Sequence, residues 1–354
     1  MEENQIRKDE NMRAIVKETR EKGFALRDLP VPSITRDQVL IKVKAAALCK
    51  SDVDVYEWTE LVDRANYALP FTMGHEFAGE IVEVGEGVRG YAVGDRVAGE
   101  THIPCGYCET CRNGNPHICA NNMGVLGRNV NGCFADYIAL DQKALIRLPD
   151  NLTYEQGAIL EPFATAMHAI SKVQPEGKSL LIAGTGTIGQ MAVSIAKAFG
   201  CTKLFALDVM DQKLEEAKRR GADICINGLK EDMVEVIKAE TGGYGVDVVI
   251  DFTGNERVIN QIVEATRIAG KIVHVGMVEK PLTYKNFMYG VVYKELVVTG
   301  IFGRRLFETW TLVMNLLKTG KIDLNSFIAG EMKLEDFEKA NAEFPKYSGR
   351  IILK

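Results

Sequence analysis

Hydrophobic and polar positions alternate in short runs through roughly the first 150 residues of the chain. The runs QVLIKVKAAAL, AGEIVEVGEGV, GDRVAG and FADYIALD are separated by turns that contain glycine. Alternation with a period of two residues, punctuated by glycine, is typical of short β-strands. The pattern therefore predicts an antiparallel, barrel-like β domain in this half of the chain.

From about residue 155 the pattern changes to apolar strands that alternate with helices. The segment KSLLIAGTGTIGQMAVSIAKAFG indicates a strand, a tight glycine turn and a helix. Further apolar strands are expected in TKLFALD, VDVVIDFTG and GKIVHVGM, with helical segments such as DQKLEEAKRRG between them. Continuous apolar strands that alternate with helices are typical of a parallel sheet with helices on both faces. Near the end, FETWTLVMNLLKTG is expected to be helical and GRIILK to form a strand.

Composition narrows the function classes. The chain has 354 residues, 46% of them hydrophobic and 26% charged, which is ordinary for a globular protein of two domains. A net charge of −5 argues against binding to a phosphate backbone, so no nucleic-acid partner is expected. No apolar run reaches the ~20 residues of a membrane helix, and the polar start MEENQIRKDEN lacks a signal peptide. The expected location is the cytoplasm, where clustered cysteines bind metal more often than they form disulfides.

The glycine turn GTGTIG is a candidate dinucleotide site. Gly184, Gly186 and Gly189 have the G-x-G-x-x-G spacing, directly after a strand and at the start of a helix. Glycine at these positions permits the turn, the approach of a pyrophosphate and close helix packing. Asp208 closes the next strand 19 residues beyond Gly189, where a carboxylate would accept hydrogen bonds from ribose hydroxyls and repel a 2′-phosphate. NAD is therefore favoured over NADP; the alternative is a similar fold whose glycines serve turns alone.

Four cysteines between residues 105 and 119 form a candidate metal lobe. Cys105, Cys108, Cys111 and Cys119 are spaced C-x₂-C-x₂-C-x₇-C. Four thiolates on a short loop can enclose Zn²⁺ without an open position, which makes the site structural. An iron–sulfur cluster also uses four cysteines, but its common spacings differ. Free thiols that bind nothing are the remaining alternative.

A second set of residues suits a catalytic metal. Cys49 in LCKSD and the pair His75 and Glu76 in GHEFAGE offer a thiolate, an imidazole and a carboxylate. Glu161 in ILEPFATAMHA is a further candidate ligand at the predicted domain junction. Each residue also has a simpler interpretation: a core cysteine, a loop histidine, or a charge in the first turn of a helix. Distance along the sequence does not show whether they converge.

The order of these motifs resembles that of the zinc-dependent medium-chain dehydrogenases. GHEFAGEIVEVGEGV, GDRV, the four-cysteine lobe, GCFADY and GTGTIG occur in the family's order, and the resemblance covers the chain after its tail. Within the family, DVYEW and GIFGRRLFETW are most similar to the members that act on threonine. The resemblance implies a tail at 1–11, a GroES-like catalytic domain at 12–161, a Rossmann domain at 162–303 and a return to the catalytic domain at 304–354. It also implies a homodimer or homotetramer.

The resemblance implies a role for each candidate residue. A catalytic Zn²⁺ would be bound by Cys49, His75 and Glu76, with Glu161 in or next to its ligand set, and a structural Zn²⁺ by the four cysteines of the lobe. The residues implied for NAD are Lys50, Gly184, Gly186, Thr187, Ile188, Gly189, Asp208, Lys213, Val275, Gly276, Met277, Ile301 and Phe302.

One position departs from the family pattern. The residues two and five places after the zinc cysteine usually relay the substrate proton, the first a Thr or Ser and the second a His. Here Ser51 fills the first place and Asp54 the second. Asp54 is either a buried proton acceptor or a solvated surface charge, and both interpretations stay open.

The implied reaction is oxidation of a secondary alcohol to a ketone, with hydride transfer to NAD. For a threonine substrate, Arg304 in FGRR is a candidate partner of the carboxylate. Polyols, sugar alcohols and sugar acids remain alternative small-molecule substrates, since their dehydrogenases share the metal and cofactor residues. A protein that binds zinc or nucleotide without turnover is the alternative from a different class.

Overall fold

The computed structural model describes residues 11–354, with the exception of residues 66 and 279. The described residues form two compact units. The first contains residues up to Glu161 together with Leu324–Lys354, and the second is Pro162–Asp323. The predicted tail at 1–11 lies outside the described residues except for Asn11, which begins the first strand.

The first unit is mostly strands up to residue 161. The strands are β1 (Asn11–Lys17), β2 (Ala25–Pro30), β3 (Gln38–Ala47), β4 (Phe71–Thr72), β5 (Glu76–Val84), β6 (Arg96–Gly99), β7 (His102–Ile103), β8 (Gly124–Val125), β9 (Tyr137–Asp141) and β10 (Leu145–Arg147). The helices are α1 (Lys50–Glu57), α2 (Glu60–Arg64), α3 (Glu109–Arg112) and α4 (Tyr154–Ala158), with 3₁₀ turns at Pro116–Ile118 and Gln142–Ala144. The long helix α5 (Leu160–Val173) follows, and from Pro162 onward its residues belong to the second unit.

The second unit alternates strands and helices as predicted. Its elements are β11 (Ser179–Ala183), α6 (Thr187–Ala198), β12 (Lys203–Asp208), α7 (Asp211–Arg219), β13 (Ile224–Asn227), α8 (Met233–Glu240), β14 (Val246–Asp251), α9 (Glu256–Ala265), β15 (Thr266–His274), a π turn at Met288–Val292, β16 (Val297–Gly300) and α10 (Glu308–Leu317). The strands form one parallel sheet in the order β13-β12-β11-β14-β15-β16. This is the order of a doubly wound dinucleotide-binding sheet, and it confirms the predicted parallel sheet.

The last residues return to the sheet of the first unit. The elements are 3₁₀ turns at Leu324–Phe327, Leu334–Asp336 and Phe344–Lys346, helix α11 (Phe337–Glu343) and strands β17 (Ile328–Met332) and β18 (Arg350–Leu353). A seven-stranded sheet runs β10-β6-β5-β3-β18-β17, with β9 also paired to β3. Its pairings are antiparallel except for β17 with β18. The strands enclose an apolar core that includes Val39, Ile41, Phe77, Ile81 and Phe134.

Residues 304–323 belong to the second unit, whereas the predicted return begins at residue 304. The guanidinium of Arg304 donates to the Thr165 hydroxyl at 3.3 Å, and the carbonyl of Gly303 lies 3.0 Å from His168 Nδ1. Trp310 in α10 is buried. Because Thr165 and His168 are residues of α5, these contacts tie the segment around residue 304 to the second unit, and the return starts at Leu324.

Among the described residues, no helix is long and apolar enough to cross a membrane.

Candidate active site and metal centres

Three potential metal ligands from separate segments of the first unit converge. The Cys49 sulfur and the ligand atoms of His75 and Glu76 all lie within 4.8 Å of one another. Cys49 caps the N-terminus of α1, just after β3, and Glu76 begins β5. Because Ala47 at the end of β3 pairs with Glu76, the register of the sheet brings the two segments together. A thiolate, an imidazole and a carboxylate at this spacing are a donor set that fits Zn²⁺.

The turn that presents His75 requires glycine at the preceding position. Gly74 has φ of +91°, and a Cβ there would lie 2.3 Å from the ring of Phe134. Both the left-handed backbone and the contact with this buried ring exclude a larger side chain. The motif GHE therefore reflects packing at Gly74 as well as ligand chemistry at His75.

Asp52 contacts two of the candidate metal ligands, Cys49 and His75. One of its oxygens accepts the backbone N–H of Cys49 at 2.9 Å, which completes the start of α1, and the other lies 3.4 Å from His75 Nδ1. Burial opposes charge on the imidazole, but the carboxylate of Asp52 and the sulfur of Cys49 outweigh it and raise the pKa of His75 well above its ordinary value. A carboxylate on the far nitrogen orients a metal-binding histidine.

Arg350 neutralises the buried carboxylate of Glu76. Its Nε and Nη2 donate to the two oxygens of Glu76 at 2.8 and 2.7 Å, and Nη2 also lies 3.5 Å from the Cys49 sulfur. Burial raises the pKa of Glu76, and the arginine charge works against that rise. Each carboxylate oxygen has a second acceptor position, so Glu76 can pair with Arg350 and still face a metal ion.

Glu161 lies near this group without belonging to it. Within the described residues, the set of mutually close ligand atoms comprises Cys49, His75 and Glu76, and Glu161 is absent from it. Its carboxylate is buried in the first turn of α5 and accepts the Thr101 hydroxyl at 2.5 Å. Its negative charge nevertheless contributes to the raised pKa of Glu76. In the structure Glu161 therefore lies beside the candidate ligands and is hydrogen-bonded to Thr101.

The predicted relay residues lie on α1. Ser51 is half-buried in the first turn, and Asp54 is only 9% exposed, which excludes the interpretation of Asp54 as a solvated surface charge. Lys50, predicted to contact the cofactor, forms an ion pair with Asp54 one helical turn away. This pair is a contact that the sequence prediction did not include.

The four cysteines of the lobe form a second group of ligand atoms within 4.8 Å of one another. Four of the sulfur–sulfur distances lie between 3.4 and 3.9 Å. Zn–S bonds of ~2.3 Å in a tetrahedron place the sulfurs ~3.8 Å apart, so the lobe fits Zn²⁺. The backbone N–H of Cys111 lowers the pKa of Cys108 to about 6, whereas burial raises the pKa of Cys111 to about 12. A bound cation favours the thiolate form of all four.

The glycine turn of the second unit fits a dinucleotide. Gly184 has φ of +90°, and a Cβ on Gly189 would lie 2.0 Å from the carbonyl oxygen of Gly184. Gly186 caps α6, and the space that its side chain would fill is open. Thr187 and Ile188 then begin the helix. The turn thus leaves room for a pyrophosphate beside free N–H groups at a helix N-terminus.

Asp208 is held firmly at the end of β12. One oxygen accepts the N–H and hydroxyl of Thr185 at 2.8 and 3.0 Å, and the other accepts the N–H groups of Val209 and Met210. A ribose hydroxyl would therefore share a carboxylate oxygen with one of these donors. Lys213 lies on α7, and its carbonyl accepts the side chain of Gln190.

The residues predicted near the nicotinamide follow β15 and β16. The N–H groups of Val275 and Gly276 donate to the carbonyl of Asp251, and that of Ile301 donates to the carbonyl of His274. Met277 and Phe302 are exposed. The imidazole of His274 bridges the buried carboxylate of Asp251 at 3.0 Å and the hydroxyl of Tyr284 at 2.9 Å. This hydrogen-bonded chain, which sequence reasoning left without a role, fixes the strand end from which the predicted cofactor residues leave.

Three supporting residues of the metal group were missed in the sequence: Asp52, Thr101 and Arg350. Asp52 carried a signal, because an acidic residue three places after Cys49 is in the position of a capping box. Arg350 is 274 residues from Glu76 along the chain, and no local pattern marks it.

Comparison with known proteins decides the family. Residues 35–150 match the alcohol dehydrogenase GroES-like domain, and residues 187–319 match the zinc-binding dehydrogenase family. An L-threonine 3-dehydrogenase of Caldanaerobacter subterraneus subsp. tengcongensis is 40% identical over 97% of this chain and 98% of its own. The chain is a zinc-binding dehydrogenase. The predicted membership, the GroES-like and Rossmann folds and the dehydrogenase activity are confirmed.

Solved structures of other dehydrogenases share the fold of this zinc-binding dehydrogenase. The 2R,3R-butanediol dehydrogenase of Bacillus subtilis has a TM-score of 0.86 and 32% identity, over 97% of this chain and 99% of its own. A structure from Sinorhizobium meliloti 1021, assigned as a zinc-binding dehydrogenase and bound to NADP, has a TM-score of 0.87 and 26% identity over the same shares. The similar structures thus include a butanediol dehydrogenase and a protein bound to NADP.

Proposed function

We propose that this dehydrogenase oxidises the secondary hydroxyl of L-threonine to a ketone and uses NAD. The observation that carries the proposal is the similarity to L-threonine 3-dehydrogenases over nearly the whole chain. The convergence of Cys49, His75 and Glu76 supports it, because a chain that had lost turnover would not need an intact ligand set.

We assign one zinc ion to Cys49, His75 and Glu76, and a second to Cys105, Cys108, Cys111 and Cys119. When bound, the first supplies a Lewis acid for the substrate hydroxyl, and the nicotinamide supplies the hydride acceptor. The four-cysteine set leaves no open position and stabilises its lobe. Arg350 and Asp52 hold the first set in place by the contacts described above.

Ser51 accepts the proton of the substrate hydroxyl and passes it on toward Asp54. Both residues lie on α1, three positions apart, and therefore on neighbouring parts of one helix face. The ammonium group of Lys50 pairs with Asp54 and holds its carboxylate in place. This arrangement supports Asp54 as the substitute for the histidine that the family usually carries.

We infer that NAD is preferred over NADP because the carboxylate of Asp208 ends β12. Its negative charge disfavours a 2′-phosphate on the ribose, and its four hydrogen bonds fix its orientation. The glycine turn accommodates either cofactor, so the preference depends on Asp208.

A second candidate is a polyol, sugar-alcohol or sugar-acid dehydrogenase. Two observations favour it: Asp54 replaces the usual histidine, and the butanediol dehydrogenase is 32% identical to this chain. The metal and cofactor residues serve both candidates, so substrates must distinguish them.

We further infer that the enzyme works in a reducing compartment such as the cytoplasm, and as a homodimer or homotetramer. All eight cysteines are free thiols in the structure. Val297 and Val298 of β16, at the end of the parallel sheet, are 53% and 36% exposed, which supports burial of that edge in an oligomer. Light scattering of the purified protein measures the oligomeric state.

The deciding experiment measures NADH formation at 340 nm by zinc-replete enzyme with L-threonine, polyols and sugar acids, and repeats the best substrate with NADP. The proposal predicts that L-threonine with NAD has the highest kcat/KM. Preference for a neutral polyol would replace the substrate and keep the metal assignment. The absence of turnover with every alcohol would contradict both candidates.

A further inference from the structure

A threonine substrate carries a carboxylate that needs a cationic partner, and the sequence prediction for this role is Arg304 of the second unit. Arg304 is only 3% exposed, and its guanidinium donates to the Thr165 hydroxyl within the second unit. A different arginine, Arg128, lies in the first unit and follows Gly127, which packs on the residue before the candidate ligand His75.

The loop that carries Arg128 packs directly on the residue before His75. A Cβ on Gly127 would lie 3.0 Å from the carbonyl oxygen of Gly74, and the N–H of Cys133 donates to that same oxygen at 3.1 Å. Gly127 has φ of +69°, so both its backbone and this close approach favour glycine. Arg128 therefore directly follows a glycine that packs on the turn before His75.

The guanidinium of Arg128 is half-buried and has no acidic partner in the part of the chain that the structure describes. It lies 5.6 Å from the centre of the Tyr67 ring and donates to the carbonyl of Ala65. The contact with Tyr67 is a cation–π interaction, which orients the plane of the guanidinium but leaves its charge uncompensated. One carbonyl uses one of five N–H donors, so others remain for a planar anion.

Tyr67, which the guanidinium of Arg128 contacts, is also affected by charges of the first unit. Burial raises the pKa of Tyr67, while the positive charge of Arg128 lowers it. Asp52 and Asp54 raise the same pKa and His75 lowers it. The phenol of Tyr67 is therefore affected by all four charged groups, while the place of Arg128 in the first unit follows from the close approach of Gly127 to Gly74.

We propose that Arg128 recognises the carboxylate of the substrate and sets the enzyme's preference for a 3-hydroxy carboxylate over a neutral alcohol. The inference rests on the proposed function and extends it by assigning the residue that binds the anion. An arginine suits this task because its planar guanidinium pairs with a carboxylate through two parallel hydrogen bonds. Tyr67 and the Ala65 carbonyl position the guanidinium.

The test compares L-threonine with L-threoninamide, which replaces the carboxylate by a neutral amide. NADH formation is measured for the wild type and for Arg128→Met, Arg128→Lys and Arg89→Met. Arg89 is a matched control because it also donates to backbone carbonyls, of Glu86 and Val88, but follows the far end of β5. Thermal melting of each variant reports whether the fold is retained.

We expect Arg128→Met to raise KM for L-threonine by about 10- to 100-fold and to leave KM for L-threoninamide close to that of the wild type. Arg128→Lys should recover part of the loss, and Arg89→Met should behave as the wild type. An equal loss for both substrates would show a merely structural role and overturn the proposal, while threonine turnover by the wild type would leave the proposed function intact.

Failure of the proposed function gives a different result. The wild type could fail to oxidise L-threonine but oxidise another 3-hydroxy carboxylate, such as 3-hydroxybutyrate, with a KM that rises in Arg128→Met. In that case the role of Arg128 stands and the threonine assignment is wrong. If the wild type oxidises only neutral polyols, both the threonine assignment and the role of Arg128 are overturned.

Discussion

The two cysteine-containing metal groups of this enzyme are built in opposite ways. The lobe takes its four thiols from residues 105–119, and the burial of each of these cysteine residues is intermediate. The group around Cys49 takes three different ligands from two segments and surrounds them with buried charged residues. Four identical ligands enclose a metal ion, whereas mixed ligands with charged support leave it open to a substrate. The comparison supports the proposal that the lobe is a stabilising site and the Cys49 group a reactive one.

Loss of the reactive ligand should give the largest effect. Replacing Cys49 by alanine removes a charged ligand, and turnover of the best substrate is expected to fall by about 1000-fold or more, because Lewis-acid catalysis contributes several kcal/mol. NADH formation measures the loss, and far-ultraviolet circular dichroism should show an unchanged fold. Wild-type turnover by Cys49→Ala would remove the distinction between the two groups.

Removal of the buried counter-charge should cost stability. In Arg350→Met the carboxylate of Glu76 stays buried without its partner, and the free energy of unfolding should fall by about 3–5 kcal/mol. Urea unfolding of the zinc-free protein measures it, because a zinc ion on Glu76 would itself compensate the carboxylate. Arg147→Met is the matched control, because Arg147 pairs with Asp95 at 2.6 Å on the surface, and should change stability by no more than ~1 kcal/mol. Equal effects of the two variants would contradict the account.

Loss of a lobe ligand should act on stability before activity. Cys108→Ser is expected to lower the melting temperature by about 4–8 °C, the shift that ~2 kcal/mol produces in a domain of 150–250 residues. Differential scanning calorimetry measures the shift, and initial rates of NADH formation below the transition should stay near those of the wild type. Unchanged melting together with abolished turnover would show that the roles of the two groups are reversed.

The smallest effect is expected from the residue that orients His75. Asp52→Asn keeps the hydrogen bond to Cys49 but removes the charge beside the imidazole, and zinc affinity should fall by about 10- to 100-fold. Competition with a chelator measures the affinity. Asp63→Asn, which alters a surface carboxylate paired with Arg20, should leave it unchanged. Equal affinities for wild type and Asp52→Asn would show that Asp52 serves the helix alone.

The same contrast explains what the sequence could predict. The lobe was predicted from spacing, because its ligands are neighbours along the chain. The parallel sheet was predicted from apolar strands that alternate with helices. Arg350 could not be predicted, because its contact with Glu76 depends on the return of β18 to β3 across 274 residues. The sequence predicts the return to the first unit at residue 304, whereas it begins at residue 324, because a strand ending at Gly300 does not reveal that Arg304 packs on α5.

The zinc content of the wild type and of Cys49→Ala tests the central claim most directly. Atomic emission should find about two zinc ions per chain in the wild type and about one in Cys49→Ala, since the lobe retains its ion. A wild type that holds only one zinc ion, or a Cys49→Ala variant that still holds two, would contradict the assignment of a reactive metal to Cys49, His75 and Glu76.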